Sequence, residues 1–197
     1  MTRRLQTPNW CDNTITLKHS DPTMIKRAHD ALERGEFLNE FHPVPLDLRI
    51  VAGRVGDDET AEQQALVLQE NANRAKYGYT NWYDWCVNEW GTKWDVGDEG
   101  SATLNEDGSL SASFNSAWAP PIEAYRMLED LGFEIKAYYF EGGMMFAGIY
   151  EDGDDDYYEI GGMNSEQINA ELPKELDEMF GISEQVEEYE SEEADDE

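Results

Sequence analysis

The apolar residues of the chain repeat with period two in some segments and with helical spacing in others. Ile15 and Leu17 alternate with polar residues over 14–19, which predicts a β-strand. The segment 21–35 begins with Asp-Pro, a helix N-cap followed by proline at the first helical position, and it ends in glycine. A strand followed directly by a helix is therefore expected near the start of the chain.

A helix is also predicted over 59–76, where the apolar stripe is thin. The stripe consists of small or isolated apolar residues: Ala61, Ala65, Leu68 and Ala72. A stripe this narrow buries little surface, so we expect the helix to belong to an insertion at about 55–90 and not to the core.

The residues from 101 to 150 are predicted to form four strands and one helix. A hairpin is expected over 101–116 with Asp107-Gly108 in its turn, a helix opens at Pro120-Pro121, and strands follow over 133–140 and 144–150. The order strand, helix, strands, helix, strands predicts an α+β fold. We expect a ferredoxin-like antiparallel sheet with its helices on one face.

The character of the chain changes after this pattern. One ferredoxin-like domain is expected over 1–160, followed by a short helical extension over 161–182. Residues 183–197 contain nine acidic and no basic residues, which predicts a disordered acidic tail.

Negative charge is concentrated in the second half of the chain. Residues 1–94 hold 11 basic and 14 acidic residues, whereas residues 95–197 hold 3 basic and 30 acidic residues. A polyanion repels nucleic acid and anionic membranes and attracts basic surfaces within about 8–10 Å. We therefore expect no direct nucleic-acid binding, no membrane binding, and a basic protein as partner.

The N-terminal residues and the cysteines favour an intracellular location. The start, MTRRLQTPNW, has two arginines but no apolar stretch behind them, so no signal peptide is expected. Cys11 and Cys86 are the two cysteines, and so few in such a chain indicate reduced thiols in a cytosol.

Four of the six tryptophans fall in NWYDWCVNEWGTKW, residues 81–94. In a helix over 81–89, Trp82, Trp85 and Cys86 share a face, and such a stripe is usually core because each ring buries about 150–250 Å². An aromatic platform for nucleobases is normally interleaved with Lys and Arg, and Lys93 is the only base between Lys76 and Arg126. We expect this motif to be core, with a ligand-binding surface as the alternative.

The segment YTNWYDWCVNEWGTKWDV, residues 79–96, resembles the YubB ferredoxin-like domain family of bacteriophages and conjugative plasmids, which includes Api92-like phage proteins. The segments 8–17, 113–133 and 138–152 support the resemblance. It implies a ferredoxin-like fold with an inserted helical segment, a mobile-element origin and a bacterial host cytoplasm. It implies no catalytic residues.

Sequence patterns for catalysis and cofactor binding are incomplete. Cys11, His19, His42 and Cys86 lack the paired spacing of a zinc site. Asp152, Asp154 and Asp156 have the spacing of positions 1, 3 and 5 of a calcium loop, but Tyr157 replaces its glycine and Met163 its final glutamate. A weak cation site is therefore the alternative to a solvated acidic turn. No nucleophile elbow or phosphate loop occurs. We expect neither an enzyme nor a cofactor or metal.

Two function classes remain. The first is a DNA-mimicking acidic inhibitor of a host nucleic-acid-binding protein of defence or recombination, because a fold can hold carboxylates where such a protein expects phosphates. The second is a protein-binding module whose acids only confer solubility; an uncharacterised enzyme is the third alternative. The mimicry hypothesis assigns partner binding to these acids: Asp98, Glu99, Glu123, Glu129, Asp130, Glu141, Glu151, Asp152, Asp154, Asp155, Asp156 and Glu159.

Overall fold

The computed structural model describes residues 9–57, 60–97 and 100–195. The sheet contains six strands: β1 (Trp10–His19), β2 (Ser101–Leu104), β3 (Leu110–Ala117), β4 (Phe133–Glu141), β5 (Phe146–Glu151) and β6 (Asp154–Glu159). The α-helices are α1 (Pro22–Glu33), α2 (Phe37–Phe41), α3 (Ala61–Tyr77), α4 (Trp82–Glu89), α5 (Ile122–Asp130), α6 (Ser165–Glu171), α7 (Lys174–Phe180) and α8 (Ile182–Asp195). A short 3-10 helix spans Leu46–Leu48.

All strand pairs are antiparallel, in the order β2-β3-β1-β4-β5-β6. The path β1–α1–β2–β3–α5–β4 has the connectivity and order of a ferredoxin-like unit, to which β5 and β6 add two strands. The predicted α+β fold is confirmed. Residues 55–90, predicted as a helical insertion, contain α3 and α4 between the first helices and β2.

The main core lies on the face of the sheet covered by α1, α4 and α5. Alternate residues of β1, Ile15 and Leu17, are fully buried there, together with Leu110 of β3 and Tyr125 of α5. Their period of two places every second strand residue on this face, as the sequence pattern predicts.

The opposite face is also covered, which differs from the prediction of helices on one face. Phe140 of β4 and Ile149 of β5 form a second core with Ile168 of α6, Leu176 of α7 and Ile182 of α8. Consecutive residues of β5 are buried because this strand has protein on both sides, and the run FAGIY has the unbroken apolar character of such a strand.

Helix α8 occupies residues that the sequence predicted as a disordered tail. Ile182 is fully buried and Val186 packs against the second core, while the Ser165 hydroxyl of α6 donates to Glu190 at 2.7 Å. The acids of this helix between 184 and 192 are exposed around a narrow apolar strip, so the acidic composition of the segment obscures its amphipathic pattern.

Helix α3 agrees with its predicted position but not with its predicted apolar stripe. Leu68 is 72% exposed, and the buried residues of α3 are Gln63 and Asn73. The Asn73 amide donates to the carbonyls of Asp47 and Thr80, each at 2.9 Å. Polar anchoring therefore replaces apolar packing in this helix.

None of the helices within the described ranges has the length and apolar character needed to cross a lipid bilayer.

The packing of α8 predicts the effect of a charge at Val186. We expect Val186→Asp to lower the free energy of unfolding by about 1–3 kcal/mol, because the new carboxylate loses water against an apolar core. The matched control is Tyr189→Asp on the same helix, where the native side chain is 69% exposed and an effect below about 0.5 kcal/mol is expected. Urea denaturation of both variants is the measurement. Equal effects would contradict the packing of α8.

Candidate functional site

The acidic edge, which we define as residues 151–159, comprises the last residue of β5, the turn that follows and the outermost strand, β6. Its turn is a two-residue hairpin connection, in which Asp152 and Gly153 have φ values of +52° and +83°. Asp-Gly favours this turn because both central positions need positive φ. The last strand predicted from the sequence ends at residue 150, and this Asp-Gly dipeptide is the signal from which the following strand, β6, could have been predicted.

The acids of this edge are exposed and divided between the two faces of the sheet. Asp155 lies opposite Tyr150 of β5 and so shares the face of the main core, whereas Asp154 and Asp156 lie opposite Glu151 and Ile149 on the other face. Exposed acids of the edge are Glu151, Asp152, Asp154, Asp155, Asp156 and Glu159. The fold thus brings together six of the sequence-predicted residues.

Glu129 links this edge to α5. Its carboxylate accepts hydrogen bonds from the Tyr150 hydroxyl at 2.7 Å and from the Gly153 backbone N–H at 3.2 Å. Burial raises the pKa of the Tyr150 phenol, and the negative charge of Glu129 raises it further, so the phenol stays a donor. Glu129 therefore fixes the hairpin turn against the helix, with exposed Asp130 beside it in the chain.

Other predicted residues lie elsewhere. Glu141 is only 1% exposed and accepts hydrogen bonds from the backbone N–H groups of Gly143 and Met144, so it closes the β4–β5 turn and is not available to a partner. Its assignment to partner binding is therefore corrected. Glu123 is exposed on α5. Asp98 and Glu99 lie outside the described residues.

The three basic residues of the acidic half of the chain, residues 95–197, form ion pairs. Arg126 pairs with Glu123 at 2.6 Å, and Lys174 pairs with Glu178 at 2.9 Å. Lys136 lies 3.1 Å from Glu151 and 3.5 Å from Glu175, so it joins β5 to α7. Within the described ranges, no ion pair is formed by Asp152 or by any acid of β6.

The described residues contain no group of three or more His, Cys, Asp and Glu that could hold a metal ion. Asp154 and Asp156 share a face of β6, while Asp152 lies in the turn. Both cysteines are buried and free, and burial raises the pKa of the Cys86 thiol to about 12. Burial also raises the pKa of the Cys11 thiol, so neither is a ready nucleophile.

The tryptophan-rich motif is divided between core and surface. Trp85 and Trp90 are buried in the main core, as predicted, and their rings pack edge to face at 5.4 Å. Trp94 is exposed and lies 5.9 Å from Trp10, which corrects the prediction for this residue. Trp118, from a distant segment, is exposed as well.

A polar network around Glu89 fixes the C-terminal end of α4, the helix within this motif. Glu89 accepts a hydrogen bond from the Tyr79 hydroxyl at 2.6 Å, and His42 Nε2 lies 3.1 Å from the other carboxylate oxygen. The His42 ring packs on Trp85 at 4.7 Å. Burial alone raises the pKa of Glu89, but the hydrogen bonds from Tyr79 and His42 outweigh it and leave that pKa below its ordinary value.

The Glu89 network predicts a pH-dependent contribution to stability. We expect Glu89→Gln to lower the free energy of unfolding by about 0.5–1 kcal/mol at pH 7, a small value because solvent screens this partly exposed group. Since the folded-state pKa is depressed, the native advantage is present above the unfolded pKa and is lost as pH falls through the folded one. Urea denaturation from pH 7 to below about pH 4 measures this loss. Glu33→Gln, on an exposed position of α1, is the control, and a pH-independent difference would contradict the network.

Comparisons with known proteins give one structural similarity. No family model matches the chain, and no curated protein matches it. The fold is similar to the crystal structure of protein Api92 of the DUF1281 family from Yersinia pseudotuberculosis, with a TM-score of 0.41 and 14% sequence identity over 79% of this chain and 99% of that chain. Membership of the YubB family stays a prediction.

Proposed function

We propose that this chain is an interaction protein of a phage or mobile element that imitates DNA. In the bacterial host cytoplasm it binds a basic, nucleic-acid-binding protein of defence or recombination through its carboxylates and occupies the surface that holds phosphates. The mobile-element origin comes from the resemblance of residues 79–96 to the YubB family. The observation that carries the proposal is the rigid acidic edge.

The spacing of the acids supports imitation of a phosphate backbone. A β-strand advances about 3.3 Å per residue and its side chains alternate between faces, so the carboxylates of Asp154 and Asp156 on one face recur about every 6–7 Å, or about once for every two phosphates of one DNA strand, which recur about every 3.4 Å along the axis. The three aspartates of β6 alternate between two faces, so a partner can contact them from either side of the edge. Glu151 and Asp152 continue the row around the turn.

The rigidity of the acidic edge also supports the proposal. Strand β6 pairs with β5 along its whole length, and the turn is held by Glu129. A charged group that is already ordered avoids most of the entropy cost of being fixed on binding. A flexible acidic tail would lose more of its interaction energy to that ordering.

The C-terminal helices extend the negative surface. The outer side of α8 carries exposed glutamates, while Ile182 and Val186 hold the helix on the sheet. The exposed glutamates of this helix are Glu184, Glu187, Glu188, Glu190 and Glu192. A folded polyanion of this kind steers a basic partner toward itself and makes association depend on salt.

A second candidate function is the non-mimic binding module. Its support is the tryptophan surface, which we define as the exposed residues Trp10, Trp94 and Trp118. Exposed tryptophans are enriched among residues that dominate protein–protein binding. In this alternative the apolar contact supplies the affinity and the acids keep the chain in solution.

The test is a pull-down from bacterial lysate with the full chain as bait, elution by a salt gradient, and identification by mass spectrometry. We expect a DNA-processing or defence protein to elute at moderate salt and to be displaced by added duplex DNA. Retention at high salt without displacement by DNA favours the non-mimic module and contradicts the proposal, as does the absence of any nucleic-acid-binding protein from the eluate.

A paired substitution locates the interface. Asp154→Asn/Asp156→Asn is expected to weaken binding of the recovered partner about three- to tenfold at low salt, and the difference should shrink as salt screens the charges. Glu33→Gln/Glu106→Gln removes the same charge at two exposed positions away from the acidic edge and should weaken binding less than about twofold. Titration calorimetry at two salt concentrations is the measurement. Equal effects of the two pairs would mean that only net charge matters.

A further inference from the structure

An open groove of about 540 Å³ lies between the end of α4, the segment leading into α5, and the main-core face of β4, β5 and β6. We call it the aromatic groove, because four rings line it: Trp118, Tyr139, Phe146 and Tyr157. Its polar lining includes Asn88 and two carboxylate residues, Glu123 and Asp155. The groove borders the acidic edge, since Asp155 and Tyr157 belong to both.

Three of the four rings are in contact with one another, and two of the four, Tyr157 and Trp118, are exposed. Phe146 lies 6.3 Å from Tyr139 and 5.4 Å from Tyr157 between ring centroids. Tyr157 is 55% exposed and Trp118 is 42% exposed. Exposed aromatic residues around a concave surface are typical of a binding site, because folding alone gains little from leaving them in water.

Trp118 occupies a strained backbone conformation at the rim of this groove. Its φ of +70° is a region that bulky residues seldom adopt, and its backbone N–H donates to the Asn9 carbonyl at 2.9 Å. Strain of this kind persists where the surrounding structure enforces it, and it clusters at functional positions. Its effect here is to hold the indole at the surface.

Asp155 is the carboxylate that is held in place within the groove. The buried Tyr139 hydroxyl donates to Asp155 Oδ1 at 2.7 Å, which leaves Oδ2 for a further donor. Gly148 makes this contact feasible, because a Cβ there would lie 2.2 Å from the Tyr139 ring. Glu123 is partly neutralised by its ion pair with Arg126, so Asp155 supplies most of the negative charge.

One ring of the groove, Trp118, already attracts a cation of this chain, together with two rings outside the groove. Lys93 Nζ lies 5.0 Å from the Trp118 ring, 4.4 Å from the Trp94 ring and 5.8 Å from the Tyr83 ring. An ammonium is attracted by the negative charge on the face of an aromatic ring. The lysine is thus an internal example of the chemistry that the neighbouring groove offers.

We propose that the aromatic groove binds an arginine side chain of the basic protein partner. This inference rests on the proposed function for the partner's identity. A guanidinium is planar, so it stacks on aromatic rings, and its N–H groups can donate to Asp155 at the same time. Lysine matches the charge but not the planar stacking. Tryptophan, tyrosine and arginine are also the residues that dominate most binding interfaces.

The test is a nuclear magnetic resonance titration of the ¹⁵N-labelled full chain. The probe is the peptide acetyl-Gly-Arg-Gly-amide, and the comparison peptide carries citrulline, which has a similar shape but no charge. We expect saturable shifts of the Trp118 indole N–H and the Gly91 amide with a Kd of about millimolar for arginine, and binding at least about fivefold weaker for citrulline.

Substitutions distinguish the groove from general attraction by the acidic surface. Tyr157→Ala and Asp155→Asn should each weaken arginine binding about threefold, whereas Tyr157→Phe keeps the ring and should keep the affinity. Asp152→Asn, on the same hairpin but outside the groove, should change it less than about 1.5-fold. Unchanged spectra outside the altered site establish that each variant is folded.

Three outcomes overturn the groove assignment: no saturable shift up to about 20 mM peptide, equal binding of citrulline, or equal weakening by Asp152→Asn and Asp155→Asn. The titration uses no partner protein, so its failure is separable from failure of the proposed function. If the titration fails but DNA still displaces the partner in the pull-down, the proposed function is supported and the partner contacts the carboxylates without the groove. Arginine binding without such a partner would leave the groove standing and contradict the imitation of DNA.

Discussion

Antiparallel pairing along both edges of β1 is the interaction on which the rest of the structure depends. This strand joins β3 on one side and β4 on the other, so it connects the hairpin from the middle of the chain to the strands that follow α5. Alternate residues of β1 supply the apolar floor of the main core. Strand β4 pairs in turn with β5, and β5 pairs with β6, so the sheet extends on this side of β1. The acidic edge and the aromatic groove lie at the end of this extension.

The concentration of acids is tolerated because apolar contacts lie directly behind it. Adjacent carboxylates repel one another, and three consecutive aspartates have little preference for a strand. Their partners across the ladder include Ile149 and Tyr150, which are buried on opposite faces of β5. Covering both faces of β5 thus provides the packing that holds β6. The second core and the acidic edge therefore both depend on strand β5, which packs in the core and pairs with β6.

Much of the fold is predictable from local patterns, because each pattern is set by nearby residues. The period of two in β1, the Asp-Gly turn of the β2–β3 hairpin and the prolines that open helix α5 each specify an element without knowledge of the rest. A short helical extension was predicted over 161–182, but helix α8 and the packing of these helices on the second face of the sheet were not, because acids dominate the composition of α8 and its apolar contacts are few. Strand β6 was not predicted because aspartates have a low strand propensity. Pairing with β5, and not the propensity of its own residues, makes this segment a strand.

The candidate site was predictable only in part, for a physical reason. Charge is a property of composition, so the acids around 151–159 could be recognised without a structure. Burial of Glu141 depends on a turn that folds back over its carboxylate, and no spacing rule reports it. The aromatic groove joins rings from β4, β5, β6 and the segment before α5, and the exposure of Trp118 follows from a backbone conformation that composition does not encode.

The position of β6 at the margin of the sheet has a consequence for self-association. An unpaired strand margin is a template on which another chain can add a strand and begin aggregation. Here each added strand would bring its own carboxylates or backbone carbonyls against a row of charged aspartates. Repulsion between these like charges therefore disfavours the joining of two copies of this chain along β6.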